Sequence, residues 1–188
     1  MNKKDIFKQS LEYIQYKIGD ILDAVSSEDI KKVNKLFFDA NRIFVYGTGR
    51  SGLVAKAFAI RLVHLGFQTF VIGETIGAPV KKGDLVIIVS GSGETIPAVM
   101  TAEIAKKIEA KVIVVTGRRN SRITKFADIS IVLSSECEEV ERKVFAPLGT
   151  LFEASAWIFL DSVVAELMKH KSETEESMRS RHATLELP

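Results

Sequence analysis

Residues 85–95 read Leu-Val-Ile-Ile-Val-Ser-Gly-Ser-Gly-Glu-Thr, an apolar run that changes abruptly into a loop of serine, glycine and threonine. Five consecutive apolar residues without alternation are typical of a strand buried on both faces, as in a parallel sheet. A helical stretch follows at 96–110, with Pro97 in the first turn, where proline is tolerated. The segment therefore predicts a strand, a polar loop and a helix in succession.

The same pattern recurs along the chain. Similar apolar runs predict four more strands, at 43–46, 69–72, 112–115 and 129–132. Further helices are predicted at 53–65 and 147–169. Buried strands that alternate with helices favour a parallel sheet covered on both faces by right-handed crossovers. We therefore expect an α/β, doubly wound, five-stranded parallel sheet flanked by helices.

Two extra helices are predicted ahead of the first strand. Apolar residues recur at spacings of three and four over 5–25, which gives one apolar side. This side either covers the chain's own core or packs against another subunit. Ser27, followed by two acidic residues, fits the N-cap of the second helix. We expect one domain with three parts: N-terminal helices (1–41), an α/β core (42–170) and a polar C-terminal tail (171–188).

Composition excludes several classes of partner. The 26 basic residues nearly balance the 24 acidic ones and are spread along the chain, so we expect no nucleic acid. The longest weakly charged stretch, 144–160, is shorter than the ~20 apolar residues that span a bilayer, so we expect no membrane partner. The single cysteine, Cys137, lies between glutamates, which disfavours a reactive thiolate. We interpret it as inert in a reducing, cytoplasmic setting.

Two loops rich in glycine and hydroxyl groups follow the first and third predicted strands. They read Gly47-Thr48-Gly49-Arg50-Ser51-Gly52 and Ser90-Gly91-Ser92-Gly93-Glu94-Thr95. In such a sheet, ligands bind beyond the carboxyl ends of the strands. Glycines let an anion approach the backbone, and helix-terminal N–H groups and hydroxyls donate to it. The two loops together favour a phosphate monoester.

The first loop alone also fits other structures. Its glycine spacing is that of a dinucleotide-binding turn, with Glu74 near the position of a ribose-binding acid. A plain tight turn between strand and helix is also compatible. The second loop favours the phosphate monoester, because a dinucleotide fold needs no second loop of this kind and the chain leaves no room for a separate catalytic domain.

Glu153 is the only charged residue between Lys143 and Asp161. If the last long helix begins near Pro147, this carboxylate lies nearly two turns inside it, too deep for a cap. Burying a lone carboxylate among apolar neighbours is costly unless the charge is paired. Two interpretations stay open: a general base, or a structural ion pair with an arginine.

These segments together resemble the SIS (sugar isomerase) domain family, which has a glycine-rich first loop with a serine, a Ser-x-Ser-Gly-x-Thr second loop and a late glutamate. The match covers essentially the whole chain. Within the family, the chain is most similar to the 6-phospho-3-hexuloisomerases. Segments 71–75 and 147–153 support the resemblance. The choice within the family is narrowed by His64-Leu65-Gly66-Phe67 and the terminal Arg181-His182-Ala183-Thr184-Leu185-Glu186.

The resemblance implies a flavodoxin-like strand order and interconversion of 3-hexulose 6-phosphate and fructose 6-phosphate, a step of the ribulose monophosphate pathway that fixes formaldehyde. It also implies a homotetramer with sites near subunit interfaces. By the same resemblance Glu153 would be the base, and the phosphate would be held by Ser51, Ser90, Ser92 and Thr95. Further substrate contacts are expected from Gly49, Thr75 and Gly91, the last standing where some relatives have glutamine. Arg50 contacts either the sugar phosphate or a subunit interface.

Moving a carbonyl from C3 to C2 needs one proton removed and one returned, through an enediol. One carboxylate can do both, so we expect no cofactor and no metal. A second acid/base group would be His64 or His182. His64 lies about 18 Å into its helix, so it serves a neighbouring subunit or acts as a helix-terminal cation. His182 either folds over a site or belongs to a disordered terminus.

Three alternatives stay open at this point: an isomerase for another sugar phosphate, a non-catalytic sugar-phosphate-binding module, and an oxidoreductase with a nucleotide cofactor. The three histidines are too widely spaced for a zinc site. Whether Arg118 and Arg119 touch a ligand or decorate a surface loop is also open.

Overall fold

Five short segments pair side by side in one parallel sheet. They are β1 (Ile43–Gly47), β2 (Thr69–Val71), β3 (Leu85–Ser90), β4 (Lys111–Thr116) and β5 (Ile129–Val132). The computed structural model describes residues 5–134 and 138–183. The strand order is β2-β1-β3-β4-β5, and every pairing is parallel. Both the five-stranded parallel sheet and its flavodoxin-like order are confirmed. Cys137 and the tail residues 184–186 lie outside the described residues.

Seven α-helices and one short 3₁₀-helix lie within the described part of the chain. The α-helices are α1 (Ile6–Asp23), α2 (Ser27–Asp39), α3 (Gly49–His64), α4 (Ile96–Lys107), α5 (Glu139–Phe145), α6 (Thr150–His170) and α7 (Glu175–Arg179). The 3₁₀-helix spans Ile123–Phe126. Helix α5 falls in a segment for which the sequence pattern predicts no element.

The sheet buries a separate apolar layer on each face, because successive side chains of a strand point in opposite directions. Val45 and Ile87 face the layer that α3 and α6 complete, together with α1 and α2. Phe44 and Ile88 face the other layer, which α4 covers. Helices α3 and α4 therefore leave the neighbouring strands β1 and β3 on opposite faces. Because the two helices diverge, they leave a crevice at the carboxyl ends of β1 and β3, the usual ligand position in such sheets.

Three predicted helix starts are wrong. Helix α3 begins at Gly49, four residues before the predicted start at 53, so the second half of the first loop forms its first turn. Ser26, rather than Ser27, caps α2, because its Oγ accepts a hydrogen bond from the N–H of Asp29 at 3.0 Å. Helix α6 begins at Thr150 and not near Pro147. Leu148, with φ of +56°, adopts a left-handed conformation that the interior of a right-handed helix does not contain.

Helix α1 divides its apolar side between the core and the surface. Ile18 and Ile21 are buried, whereas Phe7 is 72% exposed and Ile6 and Leu11 are also exposed. The C-terminal half of α1 therefore covers this chain's own core, and the N-terminal half presents apolar side chains to the outside.

Asp128 joins the amino end of the sheet to α4. Its carboxylate accepts hydrogen bonds from Lys106 Nζ (2.9 Å), Lys111 Nζ (3.2 Å) and the N–H of Val112 (2.9 Å). Burial alone would raise the pKa of Asp128, but these hydrogen bonds together outweigh it, and the pKa lies below its ordinary value.

No single helix of the described residues is long and apolar enough to cross a membrane. Helices α5 and α6 meet that length and composition only when taken together, across a bend of 74°.

Candidate functional site

A cleft of about 690 Å³ opens beyond the carboxyl ends of β1 and β3. Its lining includes Ser51 from the first turn of α3, Gly91, Ser92 and Thr95 from the loop after β3, and Glu153 from α6. The structure thus brings together predicted residues from both loops and from a helix about 60 residues further along the sequence.

The first loop places one hydroxyl just before the N-terminus of α3 and another just inside it. Thr48 precedes α3 and Ser51 lies in its first turn, and both line the cleft. Gly49 begins the helix in a left-handed conformation, with φ of +56°, but does not line the cleft. Backbone N–H groups at the start of α3 have no partner in the helix ladder, so this end of the cleft suits an anion.

The second loop holds two hydroxyls next to each other at the start of α4. Ser92 Oγ lies 3.4 Å from Thr95 Oγ1 and accepts a hydrogen bond from the N–H of Glu94 at 3.2 Å. The Glu94 carboxylate in turn accepts from the N–H of Arg122 at 2.9 Å. Glu94 therefore anchors the loop to the 3₁₀-helix and does not line the cleft.

Ser90 and Gly91 are both expected to contact the substrate, but only Gly91 lines the cleft. Ser90 is buried at the end of β3, only 4% exposed, and its Oγ has no hydrogen-bond partner within the described residues. Gly91 lines the cleft, but a Cβ there would lie 2.9 Å from Phe152 Cδ1. A glutamine at position 91 would therefore need Phe152 to move.

Glu153 lies in the first turn of α6, and its side chain is 14% exposed. The expectation that it lies too deep for a helix terminus is wrong, because the helix begins at Thr150. Its Oε2 accepts a short hydrogen bond from Arg50 Nε, and Arg50 itself is largely exposed. The helix dipole at an N-terminus also favours a carboxylate. The structure supplies the arginine partner and places the carboxylate at the cleft, so both interpretations of Glu153 find a basis in it.

A second, apolar pocket of about 390 Å³ meets the cleft at Glu153. Leu53, Trp157 and Ile158 line it together with Arg50 and Glu153. Leu53, Trp157 and Ile158 are each more than 40% exposed. The carboxylate therefore lies at the boundary between a polar cleft and an apolar surface.

The two candidate histidines lie together at the other end of α3. The rings of His64 and His182 stack with centroids 4.9 Å apart and planes inclined by 28°. Because α3 begins at Gly49, His64 is about 22 Å from the start of this helix at 1.5 Å per residue. Neither histidine lines the cleft of its own chain. The described part of the tail folds back onto α3, which brings the two separately predicted residues into one group.

The other predicted residues have mixed positions. Thr75 lies in the loop after β2 and lines a separate cavity of about 310 Å³. Arg118 lines the cleft, and Arg119 does not. Within residues 5–134 and 138–183, no three His, Cys, Asp or Glu side chains form a group that could hold a metal ion.

Sequence reasoning missed three polar residues of the cleft: Thr48, Ser134 and Arg142. Thr48 lies in the first loop, and its hydroxyl could have been counted among the expected phosphate donors. Arg142 lies in a segment with many charges of both signs, and nothing in the pattern separates it from its neighbours.

Comparison with known proteins assigns the family. The SIS domain profile matches residues 36–151, more than half of the chain. The chain belongs to the SIS domain family. The 3-hexulose-6-phosphate isomerase of Bacillus subtilis is 36% identical over 184 residues, which cover 95% of this chain and 100% of that one. An uncharacterized protein of Archaeoglobus fulgidus is 41% identical over 179 residues, 94% of this chain and 98% of that one.

A solved structure shares the SIS fold seen here. The crystal structure of a Methanococcus jannaschii protein, described as inferring a molecular function of 3-hexulose-6-phosphate isomerase, has a TM-score of 0.84 and 34% identity. The match covers 94% of this chain and 99% of that chain. The predicted family and fold class are therefore confirmed.

Proposed function

We propose that this SIS-domain protein is an isomerase that interconverts 3-hexulose 6-phosphate and fructose 6-phosphate. The observation that carries the proposal is the convergence of Ser51, Ser92, Thr95 and Glu153 on one cleft. Hydroxyls and helix termini suit a phosphate, and a carboxylate beside them suits proton transfer on the attached carbon chain. The relatives named 3-hexulose-6-phosphate isomerase support the choice of sugar.

The phosphate would bind between the N-termini of α3 and α4. Four hydroxyls border this part of the cleft, those of Thr48, Ser51, Ser92 and Thr95. They donate hydrogen bonds without adding positive charge, and the two helix dipoles favour the dianion. Binding the phosphate here anchors C6 and leaves the carbonyl carbons to extend toward Glu153.

The chemistry follows from the position of the carboxylate. Glu153 Oε1 removes the proton from C2 of the 3-keto sugar, the C–H electron pair forms the C2–C3 double bond, and O3 takes up a proton. The enediol then collapses the other way: C3 receives a proton, and O2 loses its proton as the C2 carbonyl forms. Arg50 holds Oε2, which leaves Oε1 as the oxygen that exchanges the proton.

The stacked histidines would act in a neighbouring subunit. His64 lies about 22 Å along α3 from Gly49, and His182 stacks on it. Neither lines the cleft of its own chain, so any role in proton transfer requires the cleft of another copy. A homotetramer with sites near subunit interfaces meets this requirement. The exposed Leu53 and Trp157 beside Glu153 are the kind of surface that such a copy would cover.

The test is to generate 3-hexulose 6-phosphate in situ from formaldehyde and ribulose 5-phosphate with a hexulose phosphate synthase, and to measure fructose 6-phosphate. Glu153→Gln should lower kcat by about a thousandfold and retain phosphate-ligand binding. Glu166→Gln, an exposed position on the same helix, is the matched control and should keep wild-type kcat.

Three results would contradict the proposal. Wild-type protein with no turnover on any of a panel of sugar phosphates would identify a binding module. Higher kcat/KM on a pentose or heptose phosphate would identify another isomerase of the family. Full turnover by Glu153→Gln would remove this residue from the chemistry.

A further inference from the structure

Leu148 has an unusual backbone conformation at the mouth of the cleft. Its φ of +56° lies in the left-handed region, which bulky side chains rarely adopt. The side chain does not compensate through packing, because Leu148 is 92% exposed. A strained residue persists only where its surroundings fix it, and such residues concentrate at functional sites.

The turn is held by two kinds of contact. Thr150 closes it locally, because its Oγ1 donates to the carbonyl oxygen of Pro147 at 2.7 Å, and Arg142 contacts it from another helix. Arg142 Nη1 donates a hydrogen bond to the carbonyl oxygen of Leu148 at 3.1 Å. Arg142 lies on α5, is partly buried and lines the same cleft. Arg142 therefore provides the contact to this turn from outside residues 147–150, and it comes from a helix that contributes no buried residue to the core.

The turn that Arg142 holds sets the first turn of α6. Gly149 follows Leu148 and is the N-cap of the helix, and its carbonyl accepts the N–H of Glu153 at 2.9 Å. The position of the Glu153 backbone thus depends on the conformation of residues 148 and 149. A change of a few degrees at Leu148 moves the carboxylate relative to the two loops.

We infer that Arg142 is a positioning residue for Glu153, acting through the carbonyl of Leu148. The inference rests on the proposed function, in which Glu153 transfers the proton. Arg142 would then govern how fast the bound sugar reacts rather than how tightly it binds. The competing role is direct contact with the substrate, since the guanidinium also borders the cleft.

A double-mutant cycle separates the two roles. Arg142→Ala is made in three backgrounds: Leu148, Leu148→Gly and Leu148→Ala. Glycine adopts the left-handed conformation without strain, whereas alanine removes the side chain and keeps the strain. Arg142→Ala should lower kcat about ten- to a hundredfold in the Leu148 and Leu148→Ala backgrounds, with KM changed less than about twofold. In the Leu148→Gly background the loss of kcat should fall below about threefold.

The opposite pattern would overturn the inference. A rise in KM with an equal loss of kcat/KM in all three backgrounds would mean that Arg142 contacts the substrate itself. Unchanged kinetics in Arg142→Ala would mean that the turn holds without it.

A readout without activity keeps this inference separable from the proposed function. Trp157 is the single tryptophan and lies one turn after Glu153 on α6. Acrylamide quenching of Trp157 should rise in Arg142→Ala and return toward wild type in Arg142→Ala/Leu148→Gly. Absence of turnover in wild-type protein would refute the isomerase, whereas unchanged quenching in Arg142→Ala would refute the positioning role.

Discussion

Gly149→Ala moves the carboxylate of Glu153 without removing any functional group. A Cβ at position 149 would lie 2.8 Å from Oε1 and 3.1 Å from Cδ of Glu153. Moving Oε1 from 2.8 Å out to an ordinary contact of 3.4 Å requires a displacement of about 0.6 Å. The carboxylate is the end of a flexible side chain, so it can move, and the backbone at Gly149, with φ of −88°, accepts alanine.

The displacement should affect rate far more than stability. A misplacement of about 1 Å can cost about a hundredfold in rate, so about tenfold is expected in kcat. The free energy of unfolding should fall by less than about 1 kcal/mol, because glycine is only moderately better than alanine at an N-cap. Formation of fructose 6-phosphate gives kcat, and urea denaturation gives stability.

Gly77→Ala is the matched control. Its Cβ would meet only the carbonyl oxygen of Glu74, at 3.8 Å, so both kcat and stability should stay at wild-type values. Wild-type kcat in Gly149→Ala, measured beside an inactive Glu153→Gln, would refute the assignment of Oε1 as the oxygen that takes the proton.

Three further predictions concern the scaffold. Gly93→Ala should lower the free energy of unfolding in urea by about 2–4 kcal/mol, because φ is positive at this position and the new Cβ would overlap Ser121 Oγ. Adding Ser121→Gly should restore part of this stability, and no recovery would contradict the steric explanation. Ser155→Ala should raise the free energy of unfolding by about 1 kcal/mol, because the buried Ser155 hydroxyl lacks a hydrogen-bond partner among the described residues. Ser162→Ala, at an exposed position on the same helix, is the control and should leave the free energy of unfolding unchanged. The pKa of Asp128 is lower in the folded protein. The stability that its carboxylate contributes is therefore complete above the unfolded pKa of about 3.9 and is lost as pH falls through the folded pKa. The difference in free energy of unfolding between wild type and Asp128→Asn should shrink on acidification, and a constant difference would contradict this role of Asp128.

The parts of the molecule that could be predicted are those encoded by local patterns. The run at 85–89 is apolar on both faces, which predicts a strand buried within a parallel sheet. Once strands and helices alternate, topology places the loops at 47–52 and 90–95 at the same edge of the sheet. The convergence of Ser51, Ser92 and Thr95 followed from that topology without any knowledge of the packing.

The parts that could not be predicted depend on contacts between distant segments. The start of α6 is set by Leu148, whose left-handed conformation no residue-type preference indicates. The stacking of His64 on His182 requires the tail to return across α3, where Arg181 donates to the carbonyl of His64 at 2.8 Å. The position of Thr75 in a separate cavity depends on how the loop after β2 folds.

The departure of α3 and α4 on opposite faces of the sheet has a consequence for mechanics. Each helix belongs to a different packed layer, and the sheet lies between the two layers. A dianion that accepts hydrogen bonds from both N-termini would link these two layers. Occupancy of the cleft should therefore slow amide hydrogen exchange in α3 and α4 together, although the helices share no side-chain layer.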